Sequence, residues 1–457
     1  MTPNDLLRQE STSPWTFFKW TWALLLLAVE VQAYDNASIT DVDLRFGRRA
    51  YNPEIARRQN ARNCIPKPGD ASHQPQRRGL FDLFGLDGRS EAGELEVVKK
   101  RDEVDGYYDA NANGTKFLWS LEDVHAGESF FDEMAFFSYR DPTEGHVNYV
   151  NESEARRKRL IYTEPDGTVI MRADQETHLP HGAYRDSVRI ETKKNYTGGL
   201  FVLDMKKAPW GCAVWPAFWS TNARWPCDGE IDILEGVHDA QHNQVTWHTA
   251  PGCHLDASAE FTGDPVVSSI ENHPPVNGTI DCDSDVNGNA GCGIYEWSRS
   301  SYGPFFEEQG GGIIAMKWDE NGIAVWSFFR NAIPKDLANE TPETDTWGPP
   351  SAVLMPSRCD LGWYFKEHVI IFDITFCGVW AGVTYTDTQC PGTCETRMMD
   401  PANFVNATWA INYLKIYRKV PVFASIISGN SGTKSSTATM AWGASLLSLA
   451  LGFITIM

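Results

Sequence analysis

The chain has 457 residues, 42% of them hydrophobic and 22% charged, with 37 Gly and 25 Pro, which is the composition of a globular protein with room for one large core or two domains. Its formal net charge of −20 argues against nucleic-acid binding, which needs a basic face. Ten cysteines are present, and no His or second close pair completes a zinc pattern around Cys390 and Cys394, so disulfides are the expected use. Nine of the ten lie from Cys212 onward, so either Cys64 pairs with one of them or a thiol stays free.

Taken in chain order, the first feature is an apolar run over 17–29 with Arg8 and Lys19 at its start. Val31-Gln32-Ala33 has the form of a signal-peptidase site, which predicts a signal peptide over 1–33, with an uncleaved signal anchor as the alternative. Residues 34–105 are rich in Arg, Asn, Pro and Asp and carry basic clusters at 48–49, 57–58, 77–78 and 99–101. Two readings stand for this stretch: a pro-segment trimmed at dibasic sites, or a disordered extension. From 106 to 420 the texture is all-β. Short runs rich in β-branched and aromatic residues, such as 168–172, 187–191, 199–204, 322–329, 369–376 and 409–417, alternate with Gly, Asn, Asp and Pro clusters. The run 369–376 is almost continuously apolar, as expected of a strand buried on both faces. No long amphipathic helix and no internal repeat interrupts the pattern, which predicts a two-sheet antiparallel sandwich.

Residues 421–439 read as a polar leash, and 440–457 as an uncharged apolar tail. Small residues at 428–432, a Ser/Thr spacer and the tail together form a GPI-anchor signal, with Asn430 as the expected attachment residue. An ordinary C-terminal transmembrane helix is the alternative. Seven Asn-x-Ser/Thr sequons, at Asn36, Asn113, Asn151, Asn195, Asn277, Asn339 and Asn406, fit an exported glycoprotein. The expected location is the secretory pathway and then the cell surface or wall, held to the outer plasma membrane by the lipid.

The chemistry concentrates in Gly229-Glu230-Ile231-Asp232-Ile233-Leu234-Glu235-Gly236. In a regular strand Glu230 and Asp232 share a face, and Glu235 falls on the other. A β-bulge at Ile233-Leu234 returns Glu235 to the acidic face. Three carboxylates lining one cleft suit retaining glycoside hydrolysis, in which one attacks the anomeric carbon and another protonates the departing oxygen. Crowded negative charge raises the pKa of at least one of them, which the proton donor requires. The bland reading is a solvated acidic strand edge, which does not predict the Trp residues nearby. Trp215, Trp219 and Trp225 lie just upstream, where indole planes suit the CH faces of sugars, although at least one of them is expected to be core. His248 is expected either to serve as an ordinary structural histidine or to bond a sugar hydroxyl or Glu235.

Glu230-Ile-Asp232-Ile-Leu-Glu235 resembles the bulged signature of glycoside hydrolase family 16, in its laminarinase-like endo-β-1,3(4)-glucanase branch. The resemblance extends over about 115–420, through Phe130-Phe131-Asp132, Asp141-Pro-Thr143, Val147-Asn-Tyr149, Ser187-Val-Arg189, Gly199-Leu-Phe201, Trp215-Pro-Ala-Phe-Trp219, Trp347-Gly-Pro349, Thr375-Phe-Cys-Gly378 with Trp380, and 409–417. It implies an all-β fold, a two-sheet antiparallel β-jelly-roll sandwich (concanavalin A-like) with a concave sugar-binding cleft. It implies Glu230 as nucleophile, Asp232 as assisting acid and Glu235 as general acid/base. It places Trp215, Trp219, Trp225, His248 and Trp380 at substrate subsites. It implies a β-glucan substrate; a monomer without metal or cofactor is expected, although some members of the family bind calcium on the convex face and nothing in the sequence fixes that point. The stretch 223–228 departs from the family pattern, so Cys227 is expected either to alter that loop or to pair with Cys212. Two other activities remain as alternatives. One is a cell-wall glucan transglycosylase, although such GPI-anchored relatives carry the unbulged motif. The other is a non-catalytic glucan-binding protein, a kind that loses the acids.

Overall fold

The computed structural model describes residues 64, 109–110, 116–266, 280–286 and 288–422. The expected signal peptide, the apolar tail with its GPI site, nearly all of the 34–105 stretch and nearly all of the leash lie outside these residues. Among the described residues, no helix is long and apolar enough to cross a membrane.

Two antiparallel sheets face each other. The front sheet has eight strands, in the order Asp264–Pro265, Cys292–Tyr295, Gln244–His248, Glu230–Glu235, Val214–Thr221, Val369–Phe376, Arg189–Thr192 and Met134–Phe136. The back sheet has nine, with Thr408–Pro421 and Gly199–Lys207 at its centre. The described α-helices span no more than six residues. The predicted run 322–329 is a strand with those bounds, as is 369–376, while 187–191 splits between Arg185–Ser187 and Arg189–Thr192.

Period-two alternation explains how the layers close. In the front sheet Ile370, Phe372, Ile374 and Phe376 join the main core, as do Phe201, Leu203 and Met205 from the back sheet. Phe218 stacks on Phe372 at 4.7 Å, and Phe372 meets the edge of Trp409 from the back sheet at 5.5 Å. The Trp409 indole N–H donates to the Asp373 carbonyl at 3.0 Å, so this buried indole leaves no donor stranded between the sheets. Leu200 and Val202 point the other way, into a second cluster with Phe117, Trp119, Ile313 and Leu337 that covers the outside of the back sheet. The Val369–Phe376 strand is buried on both faces as expected. Its second face is not a second core, however: Ile371 packs with Ala217 and Trp219 on the floor of the cleft.

All ten cysteines are paired: Cys64–Cys227, Cys212–Cys390, Cys253–Cys359, Cys282–Cys292 and Cys377–Cys394. The expected alternative of a Cys212–Cys227 bond is therefore corrected. Cys227 lies in the loop after the Val214–Thr221 strand and reaches back to Cys64, while Cys212, at the other end of that strand, is tied to Cys390. Among the sequons, Asn151, Asn195 and Asn339 are exposed, whereas Asn406 is half-buried and accepts a hydrogen bond from Lys207.

Candidate active site

The Glu230–Glu235 strand lies between Val214–Thr221 and Gln244–His248. Against the first neighbour, Asp232 pairs with Trp219 and Leu234 with Phe218, so Ile233 has no partner. Against the second, Asp232 pairs with Thr246 and Glu235 with Gln244, leaving Ile233 and Leu234 opposite a single residue. This is a two-for-one bulge at the expected position. Ile231, Ile233 and Leu234 are fully buried in the core, and Glu230, Asp232 and Glu235 emerge together on the opposite, cleft-facing side. The flanking glycines are needed at both ends. A Cβ on Gly229, whose φ is +81°, would lie 2.5 Å from the Phe365 ring, and one on Gly236 would lie 2.8 Å from the Tyr302 ring.

A residue that the sequence reading passed over holds the bulge. The buried Asn243 side chain donates from Nδ2 to the Ile233 carbonyl at 2.8 Å and accepts at Oδ1 from the Glu235 amide at 2.8 Å. It thereby satisfies the two backbone groups that the irregularity takes out of the ladder. Its own amide donates to Ser301 Oγ at 3.0 Å. Beside it, Glu296 is completely buried and accepts from Ser327 Oγ.

The expected aromatic residues meet the acids through their indole edges. Trp215 Nε1 donates to Glu235 Oε1 at 2.8 Å, and Trp225 Nε1 donates to Glu230 Oε2. Trp380 packs edge-on against Trp215 with centroids 5.7 Å apart. Trp219 lies in the cleft floor under the Arg189 guanidinium, and its buried Nε1 has no hydrogen-bond partner among the described residues. His248 does not reach Glu235. Its Nε2 lies 3.3 Å from Asp232 Oδ2 and its Nδ1 lies 3.0 Å from Asn289 Oδ1, so the histidine orients the middle acid.

The electrostatics follow from burial and crowding. Burial and the neighbouring Asp232 push Glu230 up to about 7, against the pull of His248 and the Trp225 hydrogen bond. The same two causes raise Glu235 well above the usual carboxylate range, opposed by the Trp215 hydrogen bond and by His248. Burial works against charging His248, but its hydrogen bond to Asp232 and the charges of Glu230, Asp232 and Glu235 outweigh it and push it up to about 9. At neutral pH the site therefore holds an imidazolium among three acids, and the direction of the push on Glu235 is toward keeping its proton.

The front sheet adds a second buried acid in the same row. Ala217 pairs with Glu235 on one side and Asp373 on the other, and the Asp373 carboxylate accepts from the Ala217 amide and from Tyr149 Oη. Burial raises Asp373 to about 7. An aspartate inside an otherwise apolar strand was the sequence signal for it.

A jelly-roll-like sandwich whose front sheet carries three convergent carboxylates beneath indole edges is the architecture of a carbohydrate-active β-sandwich. The chain belongs to glycoside hydrolase family 16: the family described as "XgeA-like, catalytic GH16 domain" matches residues 134–417. It is 39% identical over 328 residues to a probable endo-1,3(4)-beta-glucanase of Aspergillus fumigatus, an alignment covering 69% of this chain and 48% of that protein. The chain spans about half the length of most curated relatives it matches. Among solved structures it is similar to Laminarinase 16A of Phanerochaete chrysosporium with beta-glucans in its donor and acceptor sites, at TM-score 0.61 and 39% identity over 66% of this chain and 99% of that one. It is also similar to an elongating family 16 beta-1,3-glucosyltransferase, at TM-score 0.60 and 36% identity over 66% of this chain and 100% of that one.

Proposed function

We propose that this protein hydrolyses β-1,3-glucan or mixed β-1,3/1,4-glucan within the chain, with retention of anomeric configuration. The observation that carries the reading is the bulged strand that brings Glu230, Asp232 and Glu235 onto one face, two of them gripped by Trp N–H groups. Glu230, as carboxylate, attacks the anomeric carbon while the glycosidic C–O bond breaks and Glu235 gives its proton to the departing oxygen. Glu235, now ionised, then takes a proton from water, whose oxygen displaces Glu230 from the sugar. Asp232, held by His248, keeps the nucleophile's proton affinity high enough to matter near neutral pH. Trp215, Trp219, Trp225 and Trp380 line the subsites.

Reducing-sugar release from a panel of laminarin, lichenan, cellulose and galactan tests the substrate class. Activity on laminarin or lichenan is expected, and activity confined to cellulose or galactan would sink the reading. A proton NMR time course should show the β-anomer of fresh product first. A second reading, glycosyl transfer, is favoured by the likeness to the elongating glucosyltransferase. A labelled acceptor sugar separates the two, because transfer labels polymer and hydrolysis releases unlabelled oligosaccharides.

We place the enzyme in the secretory pathway and then at the cell surface, as a monomer tethered by a GPI lipid. The five disulfides and the sequons support an oxidising, glycosylating route. Release of the protein from membranes by a phosphatidylinositol-specific phospholipase checks the anchor.

A further inference from the structure

The cleft floor continues past the acidic strand. In one row across the front sheet the register runs Ala217, Glu235, Gln244, Tyr295 and Asp264. Residues paired across a ladder project from the same face. Ile294 and Glu296 are fully buried on the core side, so Tyr295 and Trp297 stand on the face that carries Glu235. The ladder persists to this point, because the Glu296 amide donates to the Asn243 carbonyl at 2.9 Å.

These two aromatic residues are exposed yet fixed. Trp297 is 65% and Tyr295 39% exposed. The Trp297 indole N–H donates to the Asp264 carboxylate, and the His242 ring lies 5.4 Å from Tyr295 and 6.3 Å from Trp297, edge-on to the latter. Burial does not explain a tryptophan held upright in solvent by a polar anchor. A rigid ring with few rotors does suit stacking against the CH face of a sugar at little cost in ordering. Two strand spacings put Tyr295 roughly 10 Å from Glu235, along the direction that crosses the strands.

We propose that Trp297 and Tyr295, braced by His242 and Asp264, form an outlying subsite that stacks a pyranose ring of the same β-glucan chain whose bond lies at Glu230 and Glu235. The proposal rests on the functional reading above and deepens it. The occupant is the substrate chain, because the platform shares its row with the acids and is ring-sized, with Gln244 and Asp264 beside it to meet hydroxyls.

The test is calorimetric binding of β-1,3-glucan oligomers of increasing length to a Glu235→Gln protein, with and without Trp297→Ala. The substitution should raise Kd about five- to tenfold for the longer oligomers and leave the shortest unchanged, with Trp297→Phe retaining most of the affinity. In the active enzyme, Trp297→Ala should raise KM for laminarin while kcat holds. Equal loss at every length, or no loss at any, overturns the subsite and leaves the hydrolase reading intact. No binding of any β-glucan by the Trp297 form overturns both.

Discussion

At the scale of single residues the site is a set of opposed pushes on three acids, and each push has a measurable sign. In the proposed reaction Glu230 must be ionised to attack. Because burial and Asp232 raise it to about 7, the acid limb of the kcat/KM profile should lie well above the ordinary carboxylate range. His248 pulls both Glu230 and Glu235 down, so His248→Asn should move both limbs to higher pH. The Trp215 N–H lowers Glu235, the proposed proton donor, so Trp215→Phe should leave the acid limb in place and shift the alkaline limb upward. A Trp215→Phe profile whose two limbs moved together would contradict the separate roles of the two glutamates. Glu230→Gln should abolish turnover while oligosaccharide binding survives, as seen by calorimetry. The acids, Trp215, Trp219, Trp225 and His248 stood out in the sequence because charge and indole cluster there against an apolar background, whereas Trp380 came from the family resemblance alone. The partner of His248 was not legible: its register opposite Glu230, with Asp232 on the same face, is set by strand pairing and not by sequence distance.

At the scale of the strand, the decisive element is the bulge. Its existence was readable from three acids that no regular alternation could place together. What holds it was not, because Asn243 lies eight residues beyond Glu235 and looks like an ordinary polar strand-starter until the strands are paired. Asn243→Leu should strand the Ile233 carbonyl and the Glu235 amide, costing about 2–4 kcal/mol of stability by denaturant unfolding. At a temperature where the variant is folded, kcat should fall at least tenfold with KM little changed, because the acid and not the subsites is misplaced. Unaltered kcat would deny Asn243 its positioning role. The neighbouring Glu296 gives a second prediction. Burial raises it to about 7 in the folded protein, whereas in the unfolded chain it titrates in the ordinary range near 4.5. Between those values the folded state binds more protons than the unfolded one, so this carboxyl subtracts stability progressively as pH rises from about 4.5 to about 7. Glu296→Gln should therefore be neutral near pH 4 and stabilising at pH 8, on the order of 2–3 kcal/mol, in paired thermal melts.

At the scale of the whole molecule, the two-sheet architecture was legible because short runs of β-branched and aromatic residues recur between turn residues. The Val369–Phe376 strand shows where such reading stops. A continuous apolar run reports burial on both faces but does not distinguish a second core from the floor of a cleft lined by Ala217 and Trp219. Disulfide connectivity was equally beyond reach, since pairing follows approach in space, and the one pairing suggested for Cys227 was displaced by a partner 163 residues away. That partner has a consequence for the boundary expected at 106. Cys227 is buried two residues from Trp225, whose indole grips Glu230, so the Cys64 bond braces the loop that serves the nucleophile. A fragment beginning at 106 should carry a single free thiol where the full chain has none, measured by thiol titration under denaturing conditions. It should also lose about 2–4 kcal/mol of stability through the released chain entropy of that long loop. Its kcat/KM should fall, and the loss should be reproduced in the full-length chain by Cys64→Ser with Cys227→Ser. If fragment and full chain prove equal in melting temperature and in kcat/KM, the tether is dispensable and the 106 boundary stands as a true domain edge. If both fall together in the fragment and in the double serine variant, the functional unit begins at Cys64, and the stretch between it and the first strand belongs to the enzyme.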